Sequence, residues 1–194
     1  MIAHSTRPAC HPASLAGPAP RRFVAVPADV IATEDPRSAD VVALLERHLA
    51  HMASLSPPEN VFALDLGGLL DPAVTFCTYR RDGGLLAVGA LKELDHGHGE
   101  LKSMHTAAAA RGAGIGRAML IHLIGLARAR GYQRLSLETG SMTGFEPARA
   151  LYASAGFTPC GPFAAYPDTP YSTFMTLPLD GPTIPTVVDV TSPT

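Results

Sequence analysis

The sequence predicts an α+β fold, a mixed sheet flanked by helices, from three observations. Extended segments outnumber helical ones. Two of them, Val74–Tyr79 and Leu85–Leu94, flank the turn sequence Arg81-Asp82-Gly83-Gly84 and read as a hairpin. Further on, Glu100–Thr106, a helix over Gly114–Arg130 and Arg134–Thr139 form a strand–helix–strand unit. A chain of 194 residues, 46% of them hydrophobic, suits a single domain with a sizeable core. That domain is expected over residues 23–179. Residues 1–22, rich in Pro and Ala, read as a disordered N-terminal extension, and 180–194, with Pro182, Pro185 and Pro193, as a loose tail.

Element by element, Asp29–Thr33 is a short first strand. Pro36 stands near the start of a helix running to about Ala53, with Val41, Leu44, Leu45, His48, Leu49 and Met52 at helical spacing. Ser56-Pro57-Pro58 breaks it, and a helical turn follows near Leu66–Leu70. After the hairpin, Asp95–Gly99 is a polar loop into the fourth strand. The long helix buries Ile115, Met119, Leu120, Leu123 and Ala127 and ends before Gly131. Pro147 suits the first turn of a last helix that Gly156 ends, and Tyr171–Leu177 is the final strand.

The segment with most chemistry is Arg111-Gly112-Ala113-Gly114-Ile115-Gly116, between an extended segment and the long helix. Glycines at alternate positions let the backbone approach a ligand, since no Cβ intervenes. The first N–H groups of the helix have no partner within it, and they lie at the positive end of its dipole. Such a helix start binds anions, a pyrophosphate among them, and Arg111 adds a fixed charge. No Lys-Ser/Thr pair follows, so this is not a P-loop. Arg117 stands where the dinucleotide fingerprint needs its third glycine. The competing reading is a tight strand-to-helix turn with glycines for geometry alone.

The loop resembles the phosphate loop of the GNAT superfamily of acyl-CoA-dependent N-acetyltransferases, Gln/Arg-x-x-Gly-x-Gly/Ala, at Arg111, Gly114 and Gly116. Downstream, Ala148-Arg149-Ala150-Leu151-Tyr152-Ala153-Ser154-Ala155-Gly156-Phe157 is similar to the family's Ala-x-x-Leu-Tyr-x-x-x-Gly-Phe signature. The correspondence is firm over about residues 85–178 and weaker back to residue 29; Glu-Leu-Lys-Ser-Met, Leu-Glu-Thr-Gly and Cys-Gly-Pro-Phe resemble a bacterial branch with poorly defined substrates. The resemblance implies a mostly antiparallel central sheet of about six or seven strands, with the fourth and fifth splayed apart. It also implies acetyl-CoA as co-substrate, with Arg111, Gly112, Ala113, Gly114, Ile115, Gly116 and Arg117 around its diphosphate. Two departures stand out. Phe145 occupies the place of a pantetheine-holding Asn, which shifts that contact to apolar groups or to Thr143 or Arg149, and Ala107–Ala110 replaces a usual proline.

Acetyl transfer to an amine needs a polarised carbonyl, a neutral amine and a stabilised leaving thiolate. By resemblance, backbone N–H groups at Met104, His105 and Thr106 face the acyl group. Glu100, six residues before Thr106, takes the place of the catalytic base in one branch of the superfamily. Glu138, a carboxylate in an otherwise apolar run, is the rival base or an anchor for the substrate's cation. Tyr152 resembles the family's general acid, since a phenol with an ordinary pKa of about 10 holds its proton at neutral pH. The resemblance implies an acceptor beside His48, His51, Met52, Ser54 and Ser56, with Pro159–Phe163 and Tyr166–Tyr171 placed to close over it.

Net charge is −2 and no run of Lys or Arg exceeds two, so a nucleic-acid or membrane-surface partner is not indicated. Charged residues in the long helix exclude it as a membrane span. Cys10, Cys77 and Cys160 lack metal-type spacing and suit a reducing cytoplasm. Cys77, in an apolar extended segment, reads as a buried thiol. His96-Gly97-His98 with Asp95 and Glu100 reads as a solvated turn, and no metal is expected. The expected activity is transfer of an acetyl group from acetyl-CoA to a primary amine of a small molecule, amino-acid derivative or peptide. The alternatives are a non-catalytic acyl-CoA-binding module and a nucleotide-dependent enzyme. Dimers are common in the superfamily, so a homodimer is expected by resemblance.

Overall fold

The computed structural model describes residues 28–55, 62 and 65–179. The expectations for 1–22, for the Ser56-Pro57-Pro58 break and for 180–194 lie outside these residues. The described strands form one sheet: β1 (Asp29–Thr33), β2 (Val74–Arg81), β3 (Gly84–Asp95), β4 (His98–Thr106), β5 (Arg134–Gly140), β6 (Thr158–Cys160) and β7 (Ser172–Pro178), ordered β1-β2-β3-β4-β5-β7-β6. β4 and β5 pair in parallel, and the other neighbours are antiparallel. The parallel pair is closed by a crossover through α3 (Ile115–Ala129), which is why a helix lies between them in the chain.

Strand alternation sorts the core into two layers. Phe76, Val88 and Ala90 face α1 (Ala39–Leu55) and the short α2 (Leu66–Leu69), meeting Val41, Leu44, Leu45 and Leu69. Cys77, Tyr79, Ala87, Leu91, Leu101, Leu135 and Leu137 face α3 and α4 (Glu146–Ser154), meeting Met119, Leu120, Leu123, Ala127 and Tyr152. All five residues expected on the buried face of α3 are there, joined by Ile124. Gly89 makes the close packing possible, because a Cβ there would come within 2.9 Å of Leu123 and Met104. Cys77 is buried, as its apolar surroundings predict.

Two element starts and one strand differ most from the sequence reading. α1 begins at Ala39, not near Pro36, because Asp35 captures the Arg37 N–H at 2.9 Å and its guanidinium, holding a turn. β4 begins at His98, since Asp95 and His98 pair directly across a tight turn. The three-residue β6 was not anticipated; it carries no alternating pattern of its own and exists as an edge paired to β7.

Candidate active site

The parallel ladder between β4 and β5 has four rungs, the last being Leu101 opposite Leu137. Beyond it the strands part, and Lys102–Thr106 have no partner in β5. On its other side β4 stays paired to β3 through a bulge: Ser103 and Met104 together oppose Gly89. Ser103 takes φ 52°, an uncommon conformation for a residue with a Cβ, and its buried hydroxyl has no partner. The parted strands open a cleft of about 480 Å³. Its walls are Leu101–Thr106, Arg111, Gly112, Gly114–Arg117, Glu138, Thr139, α4 with Tyr152, His48, His51 and Met52 of α1, and Phe62.

At the outer end, Gly112 (φ 78°) and Gly114 (φ 79°) adopt the left-handed conformation, and nothing lies within 4 Å of where a Cβ would stand. A side chain would strain the loop and stand in that open space. The first bond into α3 runs from the Ala118 N–H to the Gly114 carbonyl at 3.0 Å. The N–H groups of Ile115, Gly116 and Arg117 precede that bond and have no acceptor inside the helix. Arg111 Nε donates to the Thr106 carbonyl at 3.3 Å, tying the loop to the end of β4. A Cβ on Gly116 would stand 3.1 Å from Thr106 Oγ1, so this glycine packs the helix start against the strand. The donor set, open backbone amides at a helix start plus a guanidinium, fits a diphosphate.

Several expected cofactor residues do other work. Arg117 donates to Ser154 Oγ at 3.1 Å, joining α3 to α4. The Ile115 side chain is core, and Ala113 is not in the cleft wall. Arg149 donates to the carbonyls of Gly140 (2.6 Å) and Met142 (3.0 Å) and also lies outside the cleft wall. Phe145, in the place of the family's Asn, is buried and lines the cleft; its ring fills the space a Cβ on Gly140 would need.

At the inner end, Tyr152 and Glu138 face the same cleft. Burial, and then the charge of Glu138, push the Tyr152 phenol well above its ordinary value, so it stays protonated. Glu138 accepts from Ser172 Oγ at 2.7 Å. Burial raises its carboxyl above the usual range, against the lowering effects of Ser172 and Lys102. Glu100 lies elsewhere: it is 3% exposed and outside the cleft wall, accepting from Lys102 Nζ at 3.1 Å and the Tyr166 hydroxyl at 2.5 Å.

His48 and His105 lie with ring centroids 4.7 Å apart, their planes tilted by 42°. Burial is the main cause that lowers them to about 4 and about 3, so both are neutral at pH 7. Among the described residues no group of three or more His, Cys, Asp or Glu side chains could hold a metal ion, and no helix is long and apolar enough to cross a membrane. His98 is not solvated as the sequence suggested. It is buried, with Nε2 2.8 Å from Ser136 Oγ and Nδ1 3.1 Å from Arg134, because the early start of β4 turns it onto the sheet.

Sequence reasoning did not single out Phe62, Lys102 or Ser103. Lys102 had a signal, the polar alternation His98, Glu100, Lys102 along β4. Tyr166 lay in a segment expected to close over the acceptor, and it meets Phe62 edge-on at 5.3 Å.

The model of the acetyltransferase (GNAT) family matches residues 41–157, spanning α1 through α4. The chain belongs to the GNAT family of acetyltransferases. It is 49% identical to the uncharacterized N-acetyltransferase YsnE of Bacillus subtilis, over 75% of this chain and 97% of that protein. The uncharacterized N-acetyltransferase YedL of Escherichia coli is 43% identical, over 77% and 94%. An IAA acetyltransferase of Azospirillum brasilense is 38% identical, over 79% and 100%. Among solved GNAT-like folds, a Klebsiella pneumoniae protein assigned as an acyl-CoA N-acyltransferase superposes with a TM-score of 0.65 at 29% identity, covering 78% of this chain and 97% of that one. The Salmonella typhimurium protein yncA, solved with its cofactor acetyl-CoA, has a TM-score of 0.59 over 82% and 98%. At 21% identity that likeness is one of fold. The expected fold and superfamily therefore stand, splayed strands included, and the comparisons support N-acetyltransferase activity.

Proposed function

We propose that the protein transfers an acetyl group from acetyl-CoA directly to the primary amine of a small molecule, amino-acid derivative or peptide. One observation carries the reading: open backbone amides at the start of α3 lead along a single cleft to a fork whose wall holds both a half-buried carboxyl and a protonated phenol. Arg111 and the amides of Gly112–Gly116 would hold the diphosphate, and the main chain of Met104–Thr106, which has no partner on the β5 side, would meet the acyl group. Bound there, acetyl-CoA supplies a thioester whose C–S bond breaks as the C–N bond to the amine forms.

Glu138, rather than Glu100, takes the proton from the incoming ammonium, since it lines the cleft and Glu100 does not. Its raised pKa suits that task better than an ordinary carboxyl. Tyr152 gives its proton to the leaving sulfur. The surrounding burial excludes water that would compete for the acyl group. The test is thiol release from acetyl-CoA over a panel of amines and amino acids, with Arg111→Ala as control. Acceptor-dependent release that weakens in Arg111→Ala supports the reading. Tight coenzyme binding without release on any acceptor leaves a binding module instead.

A further inference from the structure

Lys102 and Glu138 are the first residues past the last rung of the parallel ladder, one on each strand. Both line the cleft. The two prongs of the fork therefore carry groups of opposite charge, an ammonium on β4 and a carboxyl on β5. A lysine ammonium has three N–H donors. Lys102 gives one to Glu100 Oε1 at 3.1 Å and one to the Tyr166 hydroxyl. Among the described residues the third has no acceptor. The Lys102 side chain is only 9% exposed, so bulk water has little access to that donor. Glu138 has spare capacity too: a carboxylate offers about four lone-pair sites, and Ser172 occupies one.

We propose that the acceptor is an amino acid, its carboxylate held by Lys102 while its amine meets Glu138. The assignment rests on the transferase reading and names the substrate class of that same site. Neighbouring strands stand about 4.8 Å apart where they pair. The two prongs just past the last rung are thus separated by a span that one small molecule bridges, if its amine and carboxylate are only a few bonds apart. Phe62, which meets Tyr166 edge-on, brings apolar surface to this part of the wall, which suits an apolar side chain. The competing role for Lys102 is that of a counter-ion for Glu100 alone. That role predicts equal losses on every acceptor when Lys102 is changed, whereas recognition predicts a changed ratio between acceptors.

The experiment compares thiol release from acetyl-CoA with leucine, leucinamide and 3-methylbutylamine, which share a side chain and amine but differ at the carboxylate. The full-length wild type is expected to give a kcat/KM for leucine at least about tenfold above the other two, since a site built to bond a group rejects analogues lacking it. In Lys102→Met the ratio falls towards about one, and Lys102→Arg restores part of it. Lys102→Met leaves Glu100 buried without its partner, so the double variant Lys102→Met/Glu100→Gln, which removes both charges together, is measured beside it. A wild type that uses the plain amine as well as leucine, or a double variant that keeps the leucine preference, overturns the assignment while the transferase reading stands. Release with other amines but none of these three does the same. No release with any amine overturns both.

Discussion

The two ends of the cleft are built in opposite ways. The outer end is main chain: two left-handed glycines, the free amides of one helix start and a guanidinium, all within residues 111–117. The inner end is side chains from five separate segments: His48 and Met52, Phe62, Lys102, Glu138, and Tyr152. Main-chain recognition suits a ligand that never varies, because backbone amides are the same whatever the sequence. Side-chain recognition suits a ligand that differs from one protein to the next. The division assigns the coenzyme to the glycine end and specificity to the fork.

Changes at each end should therefore separate in kinetics, and Tyr152 tests the point where the ends meet. Tyr152→Phe is expected to lower kcat by about 10²–10⁴-fold, the usual worth of a positioned general acid, with acetyl-CoA affinity by calorimetry nearly unchanged. An equal loss in both would make the tyrosine a packing residue. Gly114→Ala forces a Cβ into φ 79°; a strain of about 1–2 kcal/mol corresponds to roughly a tenfold rise in the KM for acetyl-CoA, with the order of preference among acceptors kept. Tyr166→Phe removes the hydroxyl between Lys102 and Glu100. It should raise the acceptor KM by roughly three- to tenfold, a loss in the range of an ordinary net hydrogen bond, without changing the KM for acetyl-CoA.

Two smaller effects are read against pH. Glu138 must be ionised to take a proton and its carboxyl is raised by burial, so kcat/KM should fall as pH drops, at a pH above the ordinary carboxylate range. Glu138→Gln should abolish that limb. His48 and His105 are depressed to about 4 and about 3, below the histidine value of 6.5. Between those limits the unfolded chain binds more protons than the folded one, so stability rises with pH in that window and is lost as pH falls from 6.5 towards 3. Tm measured across that range should show the decline, and His48→Phe should make it shallower, leaving the share of His105.

The same contrast explains what could be read in advance. Arg111, Gly112, Gly114 and Gly116 are contiguous, so their spacing alone signals the outer end. Leu85–Leu94 and the apolar stripe of α3 were equally legible, because each is a local periodicity. The Glu100–Lys102–Tyr166 network was not, since Tyr166 lies 64 residues beyond Lys102 and reaches it only through the loop folded over the sheet. Its place on the strand, matched by resemblance to the catalytic base of one branch of the superfamily, made Glu100 the leading base. The four-rung ladder puts it below the fork, in the paired part of β4, and leaves Glu138 at the opening. The bulge at Ser103 was illegible for another reason: serine carries no mark of a positive φ as glycine does.

The shortness of that ladder gives β4 an unforgiving parity. Leu101 points into the α3 layer while Glu100 and Lys102 point the other way. Deleting one residue between His98 and Leu101 would exchange the two sets, driving an ion pair beneath the long helix and stranding a leucine among polar groups. Homologous chains are thus free to vary the loops around the fork, while length differences inside this strand should be tolerated only in pairs.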